Sequence, residues 1–192
     1  MIRQLYNWTL SLANSPNALW ALAFVAFLES SVFPIPPDII MIPMILARPS
    51  RAFLIAGVAL VASVLGGLLG YYIGAGLFDA VGQPVLDFYG KADAAEQFNG
   101  RFQEWGAWAV LIAGITPFPF KVITIMSGWT GLNLWVFIIS SIVARGLRFF
   151  IVAGLLWKFG APIRDFIERR LGLMFTLFIM LLLGGFYLVK YI

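Results

Sequence analysis

The chain has 192 residues, of which 61% are hydrophobic and 11% charged, and its formal net charge is +4. Soluble domains average about 25% charged residues, so the composition predicts a single integral membrane domain. The absence of Cys and His excludes a disulfide framework and enzymes that depend on a thiol or an imidazole. We expect no metal and no cofactor, and no nucleic-acid partner, because the positive charges are spread over loops.

Residues 1–16 begin the chain with apolar side chains near one helical face. This pattern predicts an amphipathic helix lying at the membrane surface. A signal peptide is the alternative, since Arg3 precedes a longer apolar stretch. That stretch runs directly into an acid and several prolines, which favours the surface helix.

Residues 17–47 are an apolar run interrupted by Pro34, Pro36 and Pro37. Proline lacks a backbone donor and restricts the residue before it, so the run predicts helix, break and helix. The return arm is too short to cross a bilayer, which takes roughly 20 apolar residues. We therefore predict a re-entrant hairpin, with Glu29 and Asp38 facing a cavity at membrane depth.

Residues 52–77 contain no charge and are long enough to span the membrane. The glycines Gly66, Gly70 and Gly74 form one face of small residues, which predicts close helix packing. The next segment, residues 78–105, holds most of the acids of the chain and predicts a solvated or interfacial connector with some helix.

Residues 106–132 predict a second re-entrant hairpin. The P-x-P-x-charge pattern of the first hairpin recurs 83 positions later, at Pro117, Pro119 and Lys121. Two interrupted apolar segments at matching places in two halves indicate an inverted repeat with a site near the bilayer midplane.

Two further spanning helices are predicted, at residues 133–157 and 171–189, separated by a basic loop at 158–170. The predicted fold is thus an all-α membrane protein, with two re-entrant hairpins packed among about three transmembrane helices. Seven loop cations fall on one side and three on the other, which places the N-terminus in the cytoplasm by the positive-inside rule.

Five ionisable residues lie within apolar segments: Glu29, Asp38, Lys121, Arg145 and Arg148. The three bases could hold a phosphate, since an arginine fork binds two oxygens at once, while Glu29 or Asp38 takes up and releases a proton. The alternative is that the five charges only neutralise each other and fix the packing.

Three groups of residues resemble motifs of the DedA family, also called the SNARE-associated or VTT-domain family. Glu29 and the proline-rich segment that ends at Asp38 are similar to its acidic first motif, and the glycine face is similar to its glycine helix. The stretch 117–121, with Gly128, Arg145 and Arg148 after it, occupies the place of its basic second motif.

The basic motif departs from the family pattern F-x-x-R-F-x-P-x-x-R. Gly114 and Ile115 stand where the first arginine is expected, and Lys121 stands one position late for the second. This departure resembles a divergent, YqaA-like branch.

The resemblance implies lipid translocation, as a flippase or scramblase for undecaprenyl phosphate or phospholipids, in some relatives coupled to protons. It implies the bacterial inner (plasma) membrane, with lipids and protons or another monovalent cation as partners; a homodimer stays an open alternative. Rival functions are a proton-coupled exporter of small cations, an uncoupled scramblase and a pure assembly protein. We expect no enzyme, because the Asp-bearing helix motifs of an intramembrane aspartyl protease are lacking.

Overall fold

The computed structural model describes residues 17–33, 35–77, 80, 92–116 and 118–169, and this part of the chain is helical without a strand. The all-α prediction is therefore confirmed for the described residues. Its helices are α1 (Ala18–Ser31), α2 (Asp38–Ala47), α3 (Ala52–Leu77), α4 (Ala92–Ile115), α5 (Phe120–Trp129) and α6 (Leu134–Arg169). The predicted segments 1–16 and 171–189, most of 78–91, and Pro34 and Pro117 lie outside the described residues.

Two helices in this part of the chain are long and apolar enough to cross a membrane, within Pro49–Leu77 and Leu134–Gly160. They belong to α3 and α6, which run antiparallel. Near one end Phe53 of α3 contacts Trp157 of α6, and near the other end Phe137 of α6 lies against Gly67 of α3. These two helices form the long axis around which the shorter helices pack.

The first short pair is α1 and α2, joined by a break at the prolines. The N–H groups of Val32 and Phe33 both donate to the Leu28 carbonyl, which closes α1. Helix α2 begins at Asp38, where an acid in the first turn is stabilised by the positive end of the helix dipole. The break between Ser31 and Asp38 thus lies where the prolines of the sequence predict it.

Helix α2 returns toward the end of the molecule at which α1 begins. Ala18 of α1, Met44 of α2 and Ala52 of α3 belong to the same buried apolar cluster. This is the helix–break–helix order predicted for residues 17–47. Its re-entry into a membrane stays a prediction.

The second pair joins a long helix, α4 (24 residues), to a short one, α5 (10 residues). Helix α4 starts at Ala92, inside the segment predicted as a connector, and continues through the first arm predicted for the second hairpin. Helix α5 ends in a turn where Gly131 has φ +64°, a conformation that glycine adopts without steric cost. The Leu132 N–H then donates to the Ser127 carbonyl, which closes the helix end.

Helix α6 begins after Asn133, whose side-chain oxygen accepts hydrogen bonds from the N–H groups of Trp135 and Val136. It continues to Arg169 across a non-helical residue, Phe159 (φ −121°, ψ 20°). The segment predicted as a basic loop is therefore helical as far as Arg169, and the helix bends where the predicted span ends.

The described apolar core is divided into two clusters at opposite ends of α3. One joins α1, α2, the start of α3 and the C-terminal half of the span in α6. The other joins α4, α5 and the start of α6. Between them lie buried polar side chains, and large apolar side chains of α3 and α6, such as Val61 and Ile139, are exposed on the outside.

Candidate functional site

The five ionisable residues singled out in the sequence converge between the two apolar clusters, about midway along α3. We call them, with Ser30 and Ser63, the polar centre. The acids come from α1 and α2, and the bases come from α5 and α6. Four of the five form two ion pairs, Glu29 with Arg145 and Asp38 with Arg148.

The first ion pair is part of a closed ring of side chains. Arg145 Nη2 lies 2.5 Å from Glu29 Oε2, and Arg145 Nε donates to Ser63 Oγ at 2.8 Å. Ser63 Oγ lies 2.7 Å from Ser30 Oγ, and Ser30 donates to Glu29 Oε2 at 3.1 Å. Because a hydroxyl has one proton, Ser63 must be the donor to Ser30. Both hydroxyls are therefore used once as donor and once as acceptor.

The Arg145 guanidinium is enclosed by aromatic rings as well as by hydrogen bonds. Its Cζ lies 4.9 Å from the ring centroid of Phe120 and 4.7 Å from that of Phe149. The Arg145 side chain is 1% exposed and that of Glu29 is 9% exposed. Removing one partner of such a pair leaves an uncompensated buried charge.

The second ion pair joins α2 to α6, and a further hydrogen bond of the same arginine reaches the end of α4. Arg148 Nη2 lies 2.6 Å from Asp38 Oδ2, and Arg148 Nη1 donates to the Thr116 carbonyl at 2.8 Å. Asp38 is the first residue of α2, and Thr116 directly follows α4. The guanidinium of Arg148 thus contacts both breaks. This ion pair is more exposed than the first, because the side chains of Arg148 and Asp38 are 16% and 18% exposed.

Lys121 makes a different contact from the arginines. Its Nζ donates to the Val32 carbonyl, at the end of α1, at 3.2 Å. No ion pair is formed by Lys121 with a carboxylate of the described residues. Nearby, Thr124 of α5 donates to the Ser30 carbonyl at 3.0 Å, so α5 is tied to the end of α1 at two places.

The first break is apolar and open on its outer side. Val32, Phe33, Ile35 and Ile39 are between 40% and 52% exposed. The carbonyl of Val32 accepts the hydrogen bond from Lys121, and Ile39 directly follows Asp38 in the sequence. The partly exposed charges of the polar centre are therefore bordered by an accessible apolar surface, which we call the break surface.

The glycine face of α3 lies against α1 and α5. A methyl group added at Gly66 would collide with the backbone of Phe27 in α1, and one added at Gly74 would collide with the backbone of Ile125 in α5. At Gly70 it would meet Thr124 and Ser30. These glycines set the distance at which the charged residues meet.

Sequence reasoning anticipated the five charges but not their pairing. It missed the Ser30 and Ser63 hydroxyls and the Thr116 carbonyl. A signal existed for Ser63, which lies one helical turn before Gly66 on the small-residue face of α3. Of the predicted break residues, Pro36, Pro37 and Pro119 lie in the breaks. No group of three or more residues that could ligate a metal occurs in the described ranges.

The fold and the polar centre define a class of protein. The described part of the chain is helical, with two helices long and apolar enough to cross a membrane and with paired charges enclosed between them. The family model of the VTT domain matches residues 35–158, more than half of the chain. The chain therefore belongs to the VTT-domain family, as its resemblance to the DedA family predicts.

Two bacterial relatives match most of the chain. An uncharacterized protein of Haemophilus influenzae is 36% identical over 168 residues, which cover 85% of this chain and 87% of the relative. An uncharacterized protein of Histophilus somni is 38% identical over 168 residues, with the same two shares. No solved structure matches the chain at a significant level.

Proposed function

We propose that this protein is a transporter that moves a phosphate-bearing lipid, undecaprenyl phosphate or a phospholipid, between the leaflets of the bacterial inner membrane. The N-terminus would lie in the cytoplasm, by the loop charges. The bases of the polar centre would hold the phosphate, and Glu29 or Asp38 would couple transport to protons. The proposal includes no catalytic step, and it needs no second copy of the chain.

The observation that carries the proposal is the position of partly exposed cations beside the break surface. A lipid headgroup must meet polar groups inside the bilayer while its tails stay among apolar groups. Lys121 and Arg148 offer donors to phosphate oxygens, and Val32, Phe33 and Ile35 offer an apolar surface beside them. The two re-entrant hairpins would bring these residues to the midplane, as in transporters with broken helices.

The small-cation exporter is supported less well by the same geometry. Such a transporter needs carboxylates that are free to bind the cation. Both carboxylates of the polar centre are held by arginine side chains. A scramblase would use the same site without protons, and the experiment below separates it from a coupled transporter.

The test is leaflet exchange of labelled undecaprenyl phosphate and of phosphatidylethanolamine in proteoliposomes, with and without a pH gradient. We expect movement of at least one lipid, which a proton gradient accelerates. Movement of both lipids regardless of the gradient would identify a scramblase. If neither lipid moves in folded protein, lipid translocation is wrong.

A matched pair of lysine variants tests the role of the polar centre. We predict that Lys121→Met slows translocation about tenfold or more, because a charge-assisted hydrogen bond contributes roughly 1.5–3 kcal/mol, and that Lys121→Arg restores most of the rate. Lys158→Met removes the same charge from an exposed position near the C-terminal end of the apolar span in α6 and serves as the control. Equal rates for Lys121→Met and the native protein would contradict the assignment.

A further inference from the structure

We infer that Asp38 and Arg148 are the ion pair that exchanges partners during transport, whereas Glu29 and Arg145 keep theirs. Arg148 passes from Asp38 to the phosphate of the lipid, and the charge left on Asp38 is met by a proton or by an ammonium group of the headgroup itself. The inference rests on the proposed function and specifies which headgroups require protons.

The two ion pairs differ in the contacts that an exchange would break. Arg145 is enclosed by two rings and is hydrogen-bonded to Glu29 and to Ser63, which belongs to the closed ring. An incoming phosphate would have to break that ring inside the protein. Arg148 has one side-chain partner, Asp38, and both are partly exposed. The exchange therefore costs less at Arg148.

Arg148 can change one partner and keep the other. Its Nη1 donates to the Thr116 carbonyl, on the second hairpin, while Nη2 donates to Asp38, on the first. A phosphate that replaces the carboxylate at Nη2 leaves the contact with Thr116 intact. The start of α2 is then released, because Asp38 is its first residue.

Charge balance determines what the exchange requires. The exchange gives Arg148 a new partner, the phosphate, and leaves the Asp38 carboxylate, beside the apolar break surface, without the ion-pair partner that it has in the described residues. Such a charge is costly. Binding of a proton from water to Asp38 Oδ2 removes it, and so does an ammonium group placed beside the carboxylate.

The other two bases of the polar centre have partners other than Asp38. Helix α3 has no Asp, Glu, Lys or Arg. Lys121 of α5 is hydrogen-bonded to the Val32 carbonyl, and Arg145, one turn from Arg148 on α6, is paired with Glu29. We therefore assign the compensating charge at Asp38 to the substrate or to a proton from water.

The substrate classes follow from this requirement. A lipid whose phosphate is its only charge, such as phosphatidylglycerol, brings no positive charge to pair with Asp38. Its transport should need one proton for each phosphate moved. A lipid that carries an ammonium beside its phosphate, such as phosphatidylethanolamine, supplies both partners. Its transport should not depend on a proton gradient.

The experiment compares these two labelled lipids in proteoliposomes of the full chain, with and without a pH gradient. For the native protein we expect the gradient to accelerate the translocation of phosphatidylglycerol about fivefold or more. The translocation rate of phosphatidylethanolamine should change by no more than a factor of about 1.5. Labelled inorganic phosphate, offered to the same vesicles, should not be taken up. Its uptake would overturn the assignment of the site to a lipid headgroup.

Two variants assign the effect to one ion pair. Asp38→Asn should abolish the acceleration of phosphatidylglycerol by the gradient, and Asp38→Glu should restore it. The matched double variant Glu29→Met with Arg145→Leu removes the other pair without leaving an unpaired charge. Its absolute rate can fall, but the ratio of rates with and without the gradient should remain.

Equal acceleration of the two lipids in the native protein would overturn the inference, and that comparison needs no variant to fold. A ratio that persists in Asp38→Asn, or that is lost in the folded double variant, would overturn it as well. In all three cases the native protein still moves lipid and the proposed function stands. If the native protein moves neither lipid, the proposed function itself fails.

Discussion

Arg145 shows how a single charged residue can be accommodated between apolar helices. Its charge is met by Glu29, its Nε by Ser63, and the faces of its guanidinium by two aromatic rings. A buried ion pair of this kind contributes little net stability, but breaking it by removing one partner is costly. The residue therefore matters less as a source of stability than as a constraint on its neighbours.

This constraint predicts opposite results for single and double substitution. Arg145→Leu leaves the Glu29 carboxylate buried without a partner and should destabilise the protein by about 3–5 kcal/mol. Glu29→Met added to Arg145→Leu removes the remaining charge and should recover most of that loss. Unfolding in detergent, followed by tryptophan fluorescence, measures both variants. A single variant as stable as the native protein would contradict the described contacts.

At the residue scale, the sequence identifies the charged members of the polar centre but not their partners. Glu29 and Arg145 are visible because a charge in an apolar run is conspicuous and expensive. Ser63 is not, since a serine on a small-residue face has no signature that separates hydrogen bonding from packing. Carbonyl acceptors such as that of Thr116 cannot be predicted at all without the backbone path.

At the scale of elements, the glycine face of α3 determines how closely the hairpins approach. A methyl group at Gly66 or Gly74 would meet backbone atoms of α1 or α5, which cannot move aside as a flexible side chain can. The same helix contains Gly57 and Gly76, where an added methyl group has nothing within 4 Å. One helix thus supplies both the test positions and their controls.

We predict that Gly66→Ala and Gly74→Ala each destabilise the protein by about 1–3 kcal/mol, because of overpacking. Gly57→Ala should instead be neutral or stabilise it by up to about 1 kcal/mol, since alanine favours the helix. Thermal unfolding of the three variants in one detergent provides the comparison. Similar losses at all three positions would contradict the assignment of the losses at Gly66 and Gly74 to contact with the backbones of α1 and α5.

The breaks were predictable from the sequence, whereas the starts and ends of two helices were not. Prolines end a helix for reasons that act within a few residues, so the break between α1 and α2 lies where they stand. Helix α4 starts earlier than predicted, because it has an apolar face that includes buried Phe102. The charged residues on its other faces make this segment resemble a connector in the sequence. Helix α6 continues past Lys158 because charges alone do not end a helix.

At the scale of the whole molecule, the described helices place three exposed residues for a test of topology. Asn17, before α1, and Ser50, before α3, lie toward the same end, whereas Arg101 of α4 lies toward the other. The native chain has no cysteine, so a single introduced thiol can be labelled without background. This makes the orientation of the hairpins directly measurable.

We predict that Asn17→Cys and Ser50→Cys react with an impermeant maleimide from the cytoplasmic side and that Arg101→Cys reacts from the opposite side. The reason is that a re-entrant first hairpin returns the chain to its starting side, and that the side richer in cations faces the cytoplasm. The unmodified chain is the control. Labelling of Asn17→Cys and Ser50→Cys from opposite sides would mean that the first hairpin crosses the membrane.

The division of charge in the polar centre also restricts how the molecule can be assembled from parts. Both acids belong to α1 and α2, and all three bases belong to α5 and α6. Two copies of the N-terminal half would bring carboxylates together, and two copies of the C-terminal half would bring cations together; either arrangement is repulsive. Fragments expressed separately, divided between α3 and α4, should therefore complement each other but not themselves. Assembly of the polar centre therefore requires one copy of each half, whether or not the two halves are covalently linked.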